Sequence, residues 1–190
     1  MNKQELKRVI LGDIERGMPE FKELLRDVVR IPTDNPPGDT VECVNYLAKH
    51  LRARGLPADI YEPKRGSPNL VSYIEGKERG PNLVLNGHID QFPAGEREKW
   101  SFDPYSGECV NGKILGWGVG DMKAGSVVSL LCLELVHQLN IPVRGRLTLT
   151  LVADEESAST WGARWLLDNV PSTRGDCVLN SEPTGFDQIL

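Results

Sequence analysis

The sequence lacks the long apolar run that a membrane-spanning helix needs. No stretch approaches ~20 consecutive apolar residues, and the first eight residues, MNKQELKR, do not form the apolar core of a signal peptide. We therefore expect no membrane partner and a cytoplasmic protein.

The sequence also lacks an excess of positive charge. Its 22 Lys and Arg are scattered and are outnumbered by 27 Asp and Glu, which leaves a net charge of −5. Nucleic-acid-binding domains typically carry a basic patch, so this balance argues against a nucleic-acid partner. We expect a small-molecule substrate instead.

Cysteine is scarce, and its spacing matches neither a zinc finger nor a dense disulfide framework. The chain has no Cys-x-x-Cys pair. We interpret the four residues as buried or inert thiols: Cys43, Cys109, Cys132 and Cys177. The remaining composition is ordinary for one folded domain, since 39% of the 190 residues are hydrophobic and 26% are charged.

The amino-terminal part of the chain has helical apolar spacing. It predicts two helices within 3–30, separated near Gly17, and a further helix from Thr40 that stops at Gly55. The three prolines within 31–39 prevent a helix from continuing through that stretch. We interpret 31–39 as a loop that borders the functional site.

The rest of the chain alternates predicted strands with predicted helices. Asn111-Gly112 is the preferred pair of a type I′ turn and predicts a hairpin. Strands are predicted at 58–61, 69–74, 83–88, 147–153 and 177–179, and helices at 122–139 and 161–167.

A histidine stands beside a carboxylate at the end of the third predicted strand, in the stretch Asn-Gly-His-Ile-Asp at 86–90. In open α/β sheets, ligands bind at the carboxyl ends of the strands. Asp90 is placed to hydrogen-bond the imidazole of His88 and so to fix its tautomer for metal binding. A His-x-Asp triplet is also common in loops where the histidine is only hydrogen-bonded, and that alternative stays open.

A glycine-rich segment, Gly-Trp-Gly-Val-Gly-Asp-Met-Lys at 116–123, precedes the helix predicted at 122–139. A dinucleotide fingerprint needs glycine at position 121, where Asp121 stands, and no Gly-Lys-Ser/Thr phosphate loop exists. The segment instead presents Asp121 at the start of a helix. The alternative is that Asp121 serves only as an N-cap.

Two further strand ends carry acids. Asp154, Glu155 and Glu156 follow one strand, and Glu182 follows the last. Hydrolytic metal sites need a carboxylate ligand and a free carboxylate that accepts a proton from the attacking water, and adjacent glutamates supply both. A run of three acids also forms solvated turns, which is the competing interpretation.

In combination, these four motifs resemble the M20 family of zinc peptidases and deacylases, which includes acetylornithine deacetylase, succinyl-diaminopimelate desuccinylase and carboxypeptidase G2. The resemblance runs from about Phe21 to the last residue and keeps the family's motif order with similar spacing. It implies an α/β fold, with a mixed, mostly parallel sheet between helices, like that of zinc-aminopeptidase-like catalytic domains.

The resemblance also implies roles for individual residues. Two zinc ions, replaceable by cobalt or manganese, share four ligands: His88, Asp121, Glu156 and Glu182. Asp121 bridges the two ions, while Glu156 belongs to the second ion only. The resemblance makes Glu155 the general base and Asp90 the residue that orients His88.

The sequence departs from the family pattern at several positions. Family members commonly have arginine where Trp117 stands, and often glycine soon after the paired glutamates, where this chain has Ser-Ala-Ser at 157–159. The family's catalytic domain is interrupted by a lid or dimerisation domain and then supplies a last zinc-binding histidine. Because the apolar pattern of Phe186, Ile189 and Leu190 ends in no turn, we expect 1–190 to be the amino-terminal part of that catalytic domain.

The function implied for the complete protein, a homodimer by resemblance, is zinc-dependent hydrolysis of a linear amide in a small N-acyl amino acid or peptide. One alternative is an inactive metal-binding fragment or pseudoenzyme. Another is a structural or protein-binding domain whose acids only cap strand ends. His50 and His137 lie inside predicted helices away from the strand ends, so we expect one firmly bound zinc per 190-residue chain and little amidase activity from it alone.

Overall fold

The computed structural model describes residues 2–185, so the apolar pattern predicted at 186–190 lies outside the described residues. Seven strands are present in that range: β1 (Asp59–Tyr61), β2 (Asn69–Glu75), β3 (Glu78–His88), β4 (Glu108–Val110), β5 (Lys113–Leu115), β6 (Arg144–Val152) and β7 (Cys177–Asn180). β4 and β5 form a separate hairpin in which Asn111 and Gly112 both have positive φ, as the sequence predicts.

The other five strands form one sheet in the order β1-β2-β6-β3-β7. β3 lies between β6 and β7 and runs parallel to both, whereas β2 pairs antiparallel with β1 and β6. This mixed sheet confirms the predicted α/β fold. The two parallel pairings bring three strand ends to one edge of the sheet.

Among the described residues, four α-helices flank the sheet: α1 (Lys3–Arg30), α2 (Val41–Ala53), α3 (Ala124–Gln138) and α4 (Ala163–Asn169). The predicted break near Gly17 is wrong, because α1 is continuous through Gly17 and Pro19. A glycine costs a helix only about 1 kcal/mol, and the ring of Phe21 packs over Gly17.

Successive strand residues face opposite sides of the sheet, and both sides are covered. Leu70 and Leu151 lie in the main core, which is shared with α1, α2 and α3. Their neighbours Val71 and Val152 lie in a smaller cluster with Leu166 of α4. Double coverage explains why β3 carries the unbroken apolar run at 83–85.

Two further findings concern the helices and the cysteines. No helix within the described residues is long and apolar enough to cross a membrane. All four cysteines are free, but only Cys43 is buried, and burial raises the pKa of its thiol to about 11. The other three are exposed, so the prediction of burial holds for Cys43 alone.

Candidate metal centre

Three strand ends meet at one edge of the sheet. His88 is the last residue of β3 and pairs with Val152, the last residue of β6, while Asn86 pairs with Asn180 at the end of β7. The acidic turn after β6 and Glu182 after β7 are therefore delivered to the side of His88. This is the convergence that the sequence predicts from parallel strands.

Asp121 reaches the same edge from a kinked turn before α3. Asp121 and Met122 have non-helical φ/ψ values, and α3 begins only at Ala124, with Lys123 at its N-cap position. The alternative interpretation of Asp121 as an N-cap is therefore wrong for α3. Its side chain is 62% exposed, which leaves the carboxylate free to act as a ligand.

His88 faces a group of carboxylates. Its Nε2 lies 3.2 Å from Asp121 Oδ1, 3.4 Å from Glu182 Oε1 and 3.9 Å from Glu155 Oε2. One potential ligand atom from each of His88, Asp121 and Glu182 lies within 4.8 Å of the others. Within residues 2–185, this is the one group of three or more such side chains close enough to hold a metal ion, and Glu156 is outside it.

The orientation of His88 matches a metal ligand. Its Nδ1 lies 2.9 Å from the main-chain oxygen of Asp90, which only accepts hydrogen bonds, and 3.5 Å from the carboxylate Oδ1 of Asp90. The proton therefore sits on Nδ1, and the lone pair of Nε2 faces carboxylates that also carry lone pairs. Only a second proton or a metal cation relieves that repulsion, so the donor set fits a divalent cation.

The charges of the site shift several pKa values. Burial lowers the pKa of His88, but hydrogen bonding to Asp90 and the charges of Asp90 and Glu182 outweigh burial and raise it to about 9. Burial, together with the charge of Asp121, raises the pKa of Glu156 to about 7 and also raises that of Glu182. Crowded carboxylates of this kind are typical of sites that bind cations.

Asp90 connects His88 to the turn that carries the paired glutamates. It is fully buried, and its Oδ1 and Oδ2 accept hydrogen bonds from the main-chain N–H groups of Glu155 (3.2 Å) and Glu156 (3.1 Å). Burial raises the pKa of Asp90, but hydrogen bonds from His88 and Asn35 outweigh it, so the pKa is lowered. Asp90 is thus ionised at neutral pH. It contacts His88 on one side and the main chain of Glu155 and Glu156 on the other.

Two serines of α3 fix the ligand positions, and sequence reasoning missed both. Ser126 Oγ donates to the main-chain oxygen of His88 at 2.6 Å, and Ser129 Oγ lies 2.9 Å from Ser181 Oγ, next to Glu182. Any Cβ at Gly87 would lie 2.4 Å from Ser126 Oγ, so only glycine permits this approach. The signal available in the sequence was the spacing of Ser126 and Ser129, which lie three positions apart on one face of an otherwise apolar helix.

The other two histidines lie elsewhere, as predicted. His50 of α2 is half-buried, and its Nε2 is 2.7 Å from Glu134 Oε1 on α3. His137 lies at the end of α3 near Gly55. Neither belongs to the ligand group around His88.

Trp117, the position at which the sequence departs from the resembled family, belongs to an aromatic cluster. Its ring contacts that of Trp100 edge to face, with 5.4 Å between centroids. Trp100 makes the same kind of contact with Phe102. Trp117 Nε1 donates to the main-chain oxygen of Phe92, two residues after Asp90.

Comparisons with known proteins agree with this geometry. The model of a family described as Peptidase family M20/M25/M40 matches residues 84–189, which is more than half of the chain. The match includes His88, Asp121, the paired glutamates and Glu182.

Two curated relatives and one solved structure illustrate the match. The chain is 31% identical over 150 residues to N-formyl-4-amino-5-aminomethyl-2-methylpyrimidine deformylase of Halalkalibacterium halodurans, covering 77% of this chain and 35% of that enzyme. It is 30% identical over 170 residues to succinyl-diaminopimelate desuccinylase of Rhodospirillum centenum, covering 87% and 44%. A Bacillus subtilis structure described as a dinuclear metal-binding peptidase from the M20 family superposes with a TM-score of 0.64 at 18% identity, covering 87% of this chain and 43% of that one.

Proposed function

The chain belongs to peptidase family M20/M25/M40, and from this premise we propose that the protein hydrolyses a linear amide bond in a small N-acyl amino acid or peptide with bound zinc. The chain spans about a third to less than half of the length of the curated relatives it matches. We therefore assign the activity to the complete protein.

One observation carries the proposal. His88 Nε2 lies within 3.4 Å of the carboxylates of Asp121 and Glu182, with the Glu155 carboxylate at 3.9 Å. Three protein ligands leave the fourth position of a tetrahedral zinc open, which is the arrangement of catalytic rather than structural zinc. An open ligand position and a free carboxylate beside it are the minimum that metal-assisted hydrolysis needs.

We assign the roles as follows. His88 and Glu182 would hold one zinc, Asp121 would be shared with a second, and Glu156 would be a ligand of the second. The half-buried side chain of Glu156 and its interaction with the charge of Asp121 are consistent with a neighbouring second position. The Bacillus subtilis structure, described as dinuclear, favours two ions in the complete protein.

The reaction follows from these positions. A bound zinc would supply Lewis acidity and would lower the pKa of the attacking water to about 7. Glu155, whose side chain is 46% exposed, accepts the proton of the attacking water and then donates it to the leaving amine. Asp90 keeps the proton of His88 on Nδ1, so that Nε2 stays directed at the ligand position.

The relatives indicate the substrate class. The names of the two curated relatives describe removal of a formyl group and of a succinyl group. We propose an N-acyl amino acid or a small peptide as the substrate. We also propose that 1–190 supplies the amino-terminal part of the catalytic domain, and that the lid and a last ligand histidine lie in sequence outside it.

Zinc identity, a homodimer and a cytoplasmic location stay predictions, with cobalt or manganese as replacement metals. The inactive-fragment alternative is less well supported, because the two curated relatives are named as a deformylase and a desuccinylase and the Glu155 carboxylate lies 3.9 Å from His88 Nε2. A structural domain would bind no metal at this edge.

The proposal is tested with the full-length protein, loaded with zinc and incubated with N-formyl, N-acetyl and N-succinyl amino acids and with dipeptides. Release of a free amine by the wild type, and its loss in Glu155→Gln at equal zinc content, supports amide hydrolysis. A zinc-loaded wild type that releases no amine from any member of the panel contradicts it.

A further inference from the structure

Asn35, in the proline-rich loop before α2, is buried and lies between two parts of the site. It is only 3% exposed. Its Nδ2 donates to Asp90 Oδ2 at 2.8 Å, and its Oδ1 accepts from Ser157 Oγ at 2.8 Å. One side chain thus joins the residue that orients His88 to the end of the paired-glutamate turn.

The chemistry of the partners determines which way the amide faces. The ionised carboxylate of Asp90 only accepts hydrogen bonds, so it requires the NH₂ group. The hydroxyl of Ser157 then donates to the amide oxygen. Aspartate at position 35 would have the same shape but no donor for Asp90.

The turn that Asn35 reaches is strained. Asp154, Ala158 and Ser159 all have positive φ, although none is glycine. Such conformations cost free energy and persist only where surrounding contacts hold them. Three hydrogen bonds link this turn to Asp90 and Asn35: the main-chain N–H groups of Glu155 and Glu156 donate to Asp90, and Ser157 donates to Asn35.

The loop that carries Asn35 is itself anchored to the end of β3. Asn35 N–H donates to the main-chain oxygen of Gln91 at 2.7 Å, and Gln91 N–H donates to that of Thr33 at 3.1 Å. Thr33 Oγ1 donates to the main-chain oxygen of Ile89 at 2.7 Å. These three hydrogen bonds therefore fix the position of the Asn35 backbone relative to residues 89–91, which directly follow His88.

We propose that Asn35 is a positioning residue that, through Asp90 and Ser157, holds the Glu155–Glu156 turn in its strained conformation beside His88. This inference rests on the proposed function, because it makes Asn35 necessary for placing the general base. Asn35 lies outside the ligand group of His88, Asp121 and Glu182. Its removal displaces the turn while the group of His88, Asp121 and Glu182 stays assembled.

The first test uses a readout that is independent of activity. In the metal-free, ¹⁵N-labelled 190-residue chain, Asn35→Ala is expected to speed exchange of the Glu155 and Glu156 amide protons by on the order of tenfold, because their acceptor Asp90 is no longer held. Amides in the centre of β6 should keep their wild-type rates.

Ser67→Ala is the matched control. Ser67 is also buried, and its Oγ donates to the main-chain oxygen of Gly38 in the same loop at 3.0 Å, but it touches neither Asp90 nor the turn. Equal acceleration at Glu155 and Glu156 in Asn35→Ala and Ser67→Ala overturns the proposal, because the effect would then be general loosening of the loop.

If Asn35→Ala fails to fold, Ser157→Ala tests the positioning role of Asn35 instead. Ser157 is exposed, and its loss removes only the bond to Asn35 Oδ1. A several-fold faster exchange at Glu155 and Glu156 supports the proposal, and rates equal to those of Ser67→Ala overturn it.

The second readout is catalysis by the zinc-loaded full-length protein. We expect Asn35→Ala and Asn35→Asp to lower kcat by about 10-fold to 100-fold with KM and zinc content unchanged. If the wild type hydrolyses nothing but the exchange result holds, the proposed function fails and the positioning role stands. If the wild type is active and Asn35→Ala keeps its kcat, the positioning role fails alone.

Discussion

The Nε2 of His88 lies 3.2 Å from Oδ1 of Asp121, although the two residues are 33 positions apart in the chain. The distance is short because β3 ends at His88 and a kinked turn delivers Asp121 to the same sheet edge. An imidazole whose proton sits on the opposite nitrogen cannot donate to that carboxylate. Their proximity is favourable when Nε2 carries a second proton or when a metal cation lies between the two groups.

The first prediction concerns Glu155. In the full-length protein, Glu155→Gln keeps zinc bound and lowers kcat by about 10²-fold to 10⁴-fold, because an amide cannot accept the proton of the attacking water. Zinc content and amine release are measured on the same sample. Glu98→Gln, which changes an exposed glutamate in the 97–99 turn, is the control and should behave as wild type. Wild-type turnover in Glu155→Gln would remove the general-base assignment.

The second prediction tests whether His88 is a metal ligand or a proton carrier. His88→Ala should lose metal affinity and activity together, because it removes the only imidazole of the ligand group found within residues 2–185. His137→Ala, at the far end of α3, is the matched control and should keep wild-type affinity. An unchanged zinc dissociation constant in His88→Ala would return His88 to the role of a histidine that is only hydrogen-bonded.

The third prediction is a pH dependence. The pKa of His88 is raised to about 9 in the metal-free protein, so the imidazole holds a second proton at neutral pH that zinc must displace. Zinc affinity should therefore rise with pH, by about tenfold per unit for one released proton, and level off near the raised pKa. Chelator competition at several pH values measures this slope, and a flat profile between pH 7 and 9 contradicts it.

The raised pKa of His88 has the opposite consequence for the stability of the metal-free protein, which should fall as the pH rises. A raised pKa means that the folded state binds the proton more tightly than the unfolded state does. The stabilisation is fully present below the ordinary value of 6.5 and is lost as the pH rises through about 9. Urea unfolding of the metal-free protein should therefore show a larger drop in stability from pH 6 to pH 9.5 in the wild type than in His88→Ala.

A fourth prediction tests the packing beneath the site. Gly87→Ala places a Cβ 2.4 Å from Ser126 Oγ, which must move away from the main-chain oxygen of His88. We expect a loss of about 1–3 kcal/mol in the free energy of unfolding, together with weaker zinc binding. Gly120→Ala is the control, because a Cβ added at Gly120 would meet no atom within 4 Å and the φ of Gly120 is not positive. Equal stability of the two variants contradicts the close-approach argument.

The elements of the site that the sequence predicted are those in which a motif directly follows a strand. The apolar run at 83–85 placed His88 at a strand end, and the alternating leucines of β6 did the same for the acids that follow. Because β3 and β6 pair in parallel, their carboxyl ends and the residues that follow them lie at the same edge of the sheet. The continuity of α1 was mispredicted, because local propensity at Gly17 and Pro19 does not include the packing of Phe21.

Contacts between segments distant in the chain were beyond sequence reasoning. Asn35 meets Ser157 across 122 positions, and Ser126 meets His88 across 38. Such hydrogen bonds depend on how the loop at 31–39 and helix α3 lie against the sheet. The spacing of apolar residues in the sequence does not predict this placement. The loop itself was predicted to border the site, but the residue that makes the contact was not.

We propose that His88, Asp121 and Glu182 form one open zinc site, and a zinc titration of the 190-residue chain measures its occupancy. Native mass spectrometry with chelator competition measures both stoichiometry and affinity. We predict one tightly bound zinc per chain, lost in His88→Ala and kept in Glu155→Gln, with little amide hydrolysis by this chain alone. No bound zinc, a single zinc that persists in His88→Ala, or two tightly bound ions would each refute this proposal, and two ions would imply that the second position has a ligand besides Asp121 and Glu156.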